Sequence, residues 1–431
     1  MSQGRDGRRK TEGDRACGMR ALRRVLALAT LAVLALLPSS VFRPLYAQSN
    51  LTISILTWGP GDYVFERFGH NALRVQDSAT GLDLAYNWGM FDFDQPNFLG
   101  RFLSGDTKYW VEAFPTQRLV DFYAGMDRES IEQVLNLTDA EKAQLVALVA
   151  TQALEENKYY RYQYYRDNCS TRIRDALDHV LSGSLERRFV PITTPWTYRS
   201  ESIRLTAGTQ YSQLGIDLAL GPKADLPLSA WEAMFVPMRL RDFLRDVTIP
   251  APDGGTLPLV QEERVLHTVQ ARKPEPTESR GLVLGALGPV LGAWMLMLVP
   301  IAPASRRTRR IPAAVMAAVF YGFTGLLGVV LLGMWLGSAH VFWYHNLTLL
   351  LCSPLALLAA VLGARAILRG HLSRFALIVM AAVLAQSVIA FGLSPFVTQE
   401  MGGPLLMLLP AHIGLAIAIW RHTRPMPEAS A

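Results

Sequence analysis

Three residues of this chain have the types and settings that thiol chemistry requires: Cys169, His70 and Asn87. Cys169 lies in Gln163-Tyr164-Tyr165-Arg166-Asp167-Asn168-Cys169-Ser170-Thr171-Arg172. It is the only cysteine between the N-terminal apolar segment and the apolar C-terminal part. In an exported segment thiols usually end in disulfides, so a cysteine with no intrachain partner needs a reason to be there. Taken alone it reads as a small buried hydrophobe, but its neighbours argue for more. Ile173, Ala176, Leu177, Val180 and Leu181 form the stripe of an amphipathic helix, and Asp167 and Asn168 before it are good N-cap types. Cys169 then falls in the first turn, where unpaired N–H groups and the helix dipole stabilise a thiolate. Arg166, Arg172 and Arg174 add positive charge. A cysteine so placed is poised for nucleophilic attack.

Such a thiol needs a proton acceptor oriented by a third polar group. The exported section offers His70, His179 and His267. His70 follows a glycine at the start of an expected strand, in Arg67-Phe68-Gly69-His70-Asn71-Ala72, and is the favoured base over a purely structural role. His179 is ten residues along the same helix, about 15 Å from the thiol, and His267 has nothing to recommend it. For the third group, a loop at 77–80 would set Asn87 across from His70, and a one-residue slip would turn it away. Asp92 and Glu66 are the substitutes.

Other chemistries lack their signatures. There is no Gly-x-Ser-x-Gly, no His-Glu-x-x-His and no paired-cysteine zinc pattern, and the eight histidines are scattered. Neither a metal nor a cofactor is expected. The run Tyr159-Tyr160-Arg161-Tyr162-Gln163-Tyr164-Tyr165 reads as aromatic packing beside the site, with a lipid-facing groove as the alternative. In His340-Val341-Phe342-Trp343-Tyr344-His345-Asn346 an aromatic belt explains the rings but not the histidines. Facing the exported domain or a lipid headgroup is the other reading.

Charge is distributed unevenly. Residues 1–47 carry 9 Lys/Arg against 3 Asp/Glu, residues 48–280 carry 24 against 31, and residues 281–431 carry 9 against 2. The net +6 therefore comes from membrane flanks and gives no support to nucleic-acid binding. Residues 1–47 read as an N-terminal extension with a signal or uncleaved anchor at 19–47. Five apolar stretches follow Gly281, roughly 281–302, 312–337, 347–367, 375–395 and 403–420. Arginines cluster on alternate connections, which predicts an outer section 48–280 and an inner C-terminus. The expected organisation is a catalytic domain at 48–245, a hairpin and linker at 246–280, and a five-helix transmembrane region at 281–431. Within the domain, strands are expected at 51–58, 72–75, 82–86 and 130–137. Thr138-Asp139-Ala140-Glu141 opens a helix with a capping box. Segment 185–245 is proline-punctuated, with a helix near Trp231–Phe235.

Phe68-Gly69-His70-Asn71-Ala72 followed by Asn168-Cys169-Ser170-Thr171 resembles the N-terminal periplasmic domain of the Lnb family of lipoprotein N-acyltransferases. Leu218-Ala219-Leu220-Gly221, Asp225 and Glu232 to Pro237 resemble that family's later blocks. The order of a strand histidine and then a helix-start cysteine is similar to circularly permuted papain-like folds such as lecithin:retinol acyltransferases. The resemblance implies an α+β, circularly permuted papain-like periplasmic domain on a multi-pass inner-membrane protein. It implies a Cys169 thioester drawn from a phospholipid acyl donor, with His70 as base, and transfer to the α-amino group of a diacylglyceryl-modified lipoprotein cysteine. A periplasmic cysteine hydrolase acting on cell-wall peptide or phospholipid, and a non-catalytic membrane scaffold, are the competing readings.

Overall fold

A computed structural model describes residues 50–207, 210–251, 254–271, 288–292 and 307–423. The signal or anchor at 19–47, the linker at Lys273–Pro276 and most of the first apolar stretch, 281–302, lie outside the described residues.

The alternating runs fold as expected. β1 (Leu51–Trp58), β2 (His70–Asp77), β3 (Leu82–Met90), β4 (Tyr109–Pro115), β5 (Ser130–Leu135), β6 (Tyr159–Tyr160) and β9 (Val260–His267) form one sheet. Its order is β6-β4-β3-β2-β1-β5-β9, with every pair antiparallel. β7 (Thr248–Pro250) and β8 (Thr256–Pro258) make a separate hairpin. β9 continues past that hairpin to pair with β5, so the main sheet extends to His267, beyond the expected domain boundary at 245.

Period-two alternation gives the sheet two apolar faces. Ile53, Ile55, Leu73, Val75, Tyr86 and Trp88 pack with Ile173, Ala176, Leu177 and Val180 of the Cys169–Val180 helix and with the Asp139–Gln152 helix. Leu56, Trp58, Ala72 and Ala85 pack against Leu119 of the Thr116–Gly125 helix.

Where one helix is expected in segment 185–245, the described residues form five: Ser184–Phe189, Tyr198–Leu205, Gln210–Ala219, Ala230–Ala233 and Pro237–Arg245. The reason is visible in the second. Its buried residues include Arg199, Glu201 and Arg204, so polar side chains occupy the inner face and erase the amphipathic pattern. Arg199, with 0% of its side chain exposed, donates to Asp225 at 2.7 and 3.0 Å, to the Asp217 carboxylate at 2.9 Å and to the carbonyls of Asp217 and Leu220.

Among the described residues, three helices are long and apolar enough to cross a membrane: Arg310–Gly337, Arg374–Phe396 and Gly402–Thr423. The expected span at 347–367 is broken. A 3-10 turn at Leu347–Leu350 leads through Ser353-Pro354 into a helix, Ala356–Arg369, of 14 residues. That helix is about 21 Å long, against about 30 Å of bilayer hydrocarbon, so this stretch does not cross as one uninterrupted apolar helix. Irregular backbone at this depth persists only when protein covers it. Leu351 and Cys352 are fully buried, and the Leu351 carbonyl meets His412 Nε2 at 3.0 Å. Gly328 lets its helix pass directly over the Cys352 carbonyl, where a Cβ would clash.

The two connections that lack Lys and Arg are packed into the exported domain. Asn346 Nδ2 donates to the Leu218 and Ala219 carbonyls at 2.8 and 2.9 Å. Gln399 Nε2 donates to Asn346 Oδ1 at 2.8 Å and to the Leu220 carbonyl at 3.3 Å. The Gly221 N–H donates to the Phe342 carbonyl at 2.6 Å. Arg199 thus holds the very segment, 217–225, on which both membrane loops dock. Replacing it (Arg199→Met) strands two buried carboxylates and should cost about 3–5 kcal/mol. This would be read as a lower unfolding midpoint of the full-length protein in detergent, while Glu262→Gln at an exposed pair should leave the midpoint unchanged.

Candidate active site

Cys169 is the first residue of its helix, and Asn168 is the cap. Asn168 Oδ1 accepts the N–H groups of Ser170 and Thr171 at 2.9 and 3.0 Å. Its Nδ2 donates to the carbonyls of Tyr164 and Phe235, each at 2.9 Å, and Ser170 Oγ donates to the Met234 carbonyl at 2.6 Å. Asp167, the other expected cap, is bound instead to Arg172.

His70 opens β2 after Gly69, whose φ is +81°. A side chain at position 69 is doubly excluded, because a Cβ would lie 2.6 Å from Met238 Sδ and 2.8 Å from the Trp58 carbonyl. Trp58, paired with His70 across β1–β2, stacks on the imidazole at 5.9 Å, and Tyr123 closes from the side at 5.9 Å. His70 therefore belongs to the Trp58 face of the sheet, whereas the body of the Cys169 helix covers the other face. The two elements meet at their ends. The backbone N–H of Asn71, directly after His70, acts on the Cys169 thiol and favours its charged form, as do the N–H groups of Ser170 and of Cys169 itself.

His70 Nε2 hydrogen-bonds to Asn87 Oδ1. An amide oxygen only accepts, so Nε2 carries the proton and Nδ1 keeps its lone pair. The register that achieves this differs from expectation. The loop occupies 78–81, and Leu73 pairs with Tyr86 and Asp77 with Leu82. Asn87 is thus set diagonally from His70, two positions from the expected partner. An even offset keeps it on the same face, where an odd one would not. The substitutes are committed elsewhere: Glu66 accepts the Asp62 and Tyr63 N–H groups, and Asp92 accepts that of Asp94. His179 is exposed and His267 pairs with Asp127.

The thiol is buried, with 7% of the residue exposed. Burial pushes its pKa up to about 11, opposed by the three N–H groups and by Arg128. Burial also pulls His70 down to about 4, opposed by the Asn87 bond and assisted by Arg128. At neutral pH both partners are uncharged. This reverses the expectation of a thiolate, because desolvation of a buried group outweighs the helix terminus. The nearby arginines do not supply the expected field either. Arg172 is paired with Asp167, Arg174 with Asp175, and Arg166 lies over the Phe342 ring. The cation that acts on both groups is Arg128, buried, donating to the Gly59 carbonyl at 2.8 Å and stacked 4.7 Å over Tyr123. Nothing in the local sequence around Arg128 marks it.

The tyrosine run splits by position. Tyr160 and Tyr162 lie close enough to Cys169 for its charge to act on them. Tyr165 is buried against Tyr198 and bonds Ser202 at 2.7 Å, and Tyr164 stacks on His340 at 5.9 Å. The run is packing beside the site that also reaches the membrane loop. His340 Nε2, in turn, meets the Phe102 carbonyl at 2.7 Å. Among the described residues no cluster of His, Cys, Asp and Glu could hold a metal.

A thiol with a folded pKa near 11 makes an alkylation prediction. At pH 7.5 iodoacetamide should modify Cys169 roughly two orders of magnitude more slowly than an unperturbed thiol, because only the thiolate reacts. The rate should rise steeply above pH 9, followed by mass spectrometry of the Cys169 peptide. A midpoint below pH 8 would mean a pre-formed ion pair.

In comparisons with known proteins, residues 41–202 match the family described as the Lnb N-terminal periplasmic domain. Residues 283–424 match the Lnb transmembrane domain, and between them the two cover most of the chain. No curated protein and no solved structure matches.

Proposed function

Since this chain belongs to the Lnb family, whose members are multi-pass membrane proteins of lipoprotein biogenesis with a periplasmic N-terminal domain, we propose that it is a cysteine-dependent lipoprotein N-acyltransferase. The observation that carries the reading is the bond between His70 Nε2 and Asn87 Oδ1, with the backbone N–H of the next residue, Asn71, acting on the buried Cys169 thiol at a helix start. That bond leaves Nδ1 as the available base. The papain-like part of the reading rests on the same relation of a helix-start cysteine, a strand-start histidine and an orienting amide, with the chain order permuted.

In this mechanism Cys169 attacks the acyl ester of a phospholipid as His70 removes the thiol proton. Both start neutral, so proton transfer accompanies attack. The N–H groups of Cys169 and Asn71 stabilise the oxyanion. The lysophospholipid leaves with the proton from His70, and the fatty acid stays on sulfur as a thioester. The neutral α-amino group of the lipoprotein cysteine then attacks, His70 takes its proton, and the thiol is released carrying the amide product's displaced proton. Both substrates are membrane-anchored, which suits a domain fixed to spanning helices. A periplasmic hydrolase would use the same groups with water as acceptor.

The arginine-bearing ends of the spans lie away from the domain, Arg310 beside Gly370 and His422, which supports a cytoplasmic C-terminus. A C-terminal fusion should be active with a cytoplasmic reporter and silent with a periplasmic one. In a strain lacking its own lipoprotein N-acyltransferase, the wild-type gene should restore N-acylated lipoprotein N-termini by mass spectrometry. Cys169→Ala and Cys169→Ser should abolish acylation, since no thioester forms. His70→Ala should lower the rate by roughly 10²–10⁴, and the double variant should be little worse than a single one, because the pair acts as a unit. Asn87→Ala should be milder. Near-normal acylation by Cys169→Ala would reject the mechanism.

A further inference from the structure

The loops on either side of the His70–Asn87 pair carry large apolar side chains that point outward. Phe65 is 54% exposed, Phe93 62% and Leu99 67%, and Tyr63, Phe102 and Leu103 are exposed too. A contiguous apolar patch of this kind on a soluble surface marks a binding face. The rings form a connected series: Tyr63 on Phe65 at 5.7 Å, Phe65 against Phe91 at 5.6 Å, Phe93 against Phe98 at 5.1 Å. At one end the series is fastened to a spanning helix. The Ala339 N–H, just past Gly337, donates to the Ser104 carbonyl at 2.8 Å, and the Phe102 carbonyl meets His340. At the other end it leads to the thiol. Phe91 lies 5.1 Å from Tyr109, Tyr109 stacks on Tyr162 at 4.3 Å, and Tyr162 flanks Gly89, where an added Cβ would lie 4.0 Å from Cys169 Cβ.

We infer that residues 62–66 and 91–104 form a platform immersed in the periplasmic leaflet of the bilayer, across which a lipid acyl chain reaches Cys169 without entering water. The occupant is lipid because the patch is continuous with the periplasmic end of the Arg310–Gly337 helix, which fixes its height at the membrane surface. Asp62, Glu66, Asp92 and Asp94 against Arg101 leave the platform with no cationic excess. Its seating therefore depends on apolar area rather than anionic lipid, and salt should not weaken it. The route to Cys169 rests on the acyltransferase reading; the immersion does not.

Two measurements on the full-length protein separate these. In phosphatidylcholine vesicles, a fluorophore on Leu99→Cys, with the other cysteines replaced by alanine, should be quenched by nitroxide-labelled lipids at low and high salt. The same label on Thr80→Cys at the exposed β2–β3 turn should not. Equal, weak quenching at both positions, as when water or a protein partner covers the patch, would overturn the platform. Separately, Phe65→Glu/Phe93→Glu should slow Cys169 acylation by vesicle phospholipid about tenfold or more, since charge is costly in the leaflet. Acylation by a short-chain water-soluble ester should stay within about twofold. Equal loss with both donors, or none with either, would overturn the route. If the unmodified protein forms no Cys169 thioester with either donor, the catalytic reading fails while the quenching result still stands.

Discussion

The amide of Asn168 is the fastening on which the site depends. Its oxygen closes the first turn of the Cys169 helix, and its nitrogen ties that turn to the carbonyls of Tyr164 and Phe235. Every hydrogen-bonding position of the side chain is used inside the protein, so the arrangement tolerates no displacement without stranding a buried polar group. Through Phe235 the constraint passes to Pro237, which opens the Pro237–Arg245 helix, and to Met238, whose sulfur lies against Gly69. Gly69 is followed by His70. A closed circuit of packing thus runs from the cysteine's cap back to the residue before the imidazole, and it explains why glycine is required there.

The same economy couples the domain to the membrane. The Arg199 guanidinium holds residues 217–225, whose carbonyls receive Asn346 and Gln399 from two different membrane connections. Phe342 enters the domain between Tyr165, Tyr198 and Phe235. The periplasmic domain is therefore seated rigidly on the spans, and the aromatic loops beside the thiol are held at one height. This suits chemistry between two anchored substrates better than chemistry on a freely diffusing one.

Much of this was legible in the sequence where a local rule operates alone. Alternation marked β1, β2, β3 and β5, the Thr138–Glu141 box marked a helix start, and the stripe from Ile173 marked the cysteine helix, with Asp167 and Asn168 both offered as its cap. Legibility failed where burial is polar. The Tyr198–Leu205 helix turns Arg199, Glu201 and Arg204 inward, so periodicity could not find it, and the break at Ser353-Pro354 was hidden inside a uniformly apolar run. The charge state of the site failed for a related reason. Helix position and neighbouring arginines are readable from sequence and favour a thiolate, but desolvation depends on tertiary packing and dominates. Asn87 fell on the correct face only because the register error was even.

The most direct test is the acyl-enzyme itself. The purified protein, incubated with phospholipid and no acceptor, should gain one fatty-acyl mass on the Cys169 peptide. The adduct should be labile to hydroxylamine, absent from Cys169→Ala, and discharged faster by a lipoprotein α-amine than by water. An acyl group on a different residue, or a Cys169 adduct that water clears as fast as the amine, would contradict the account.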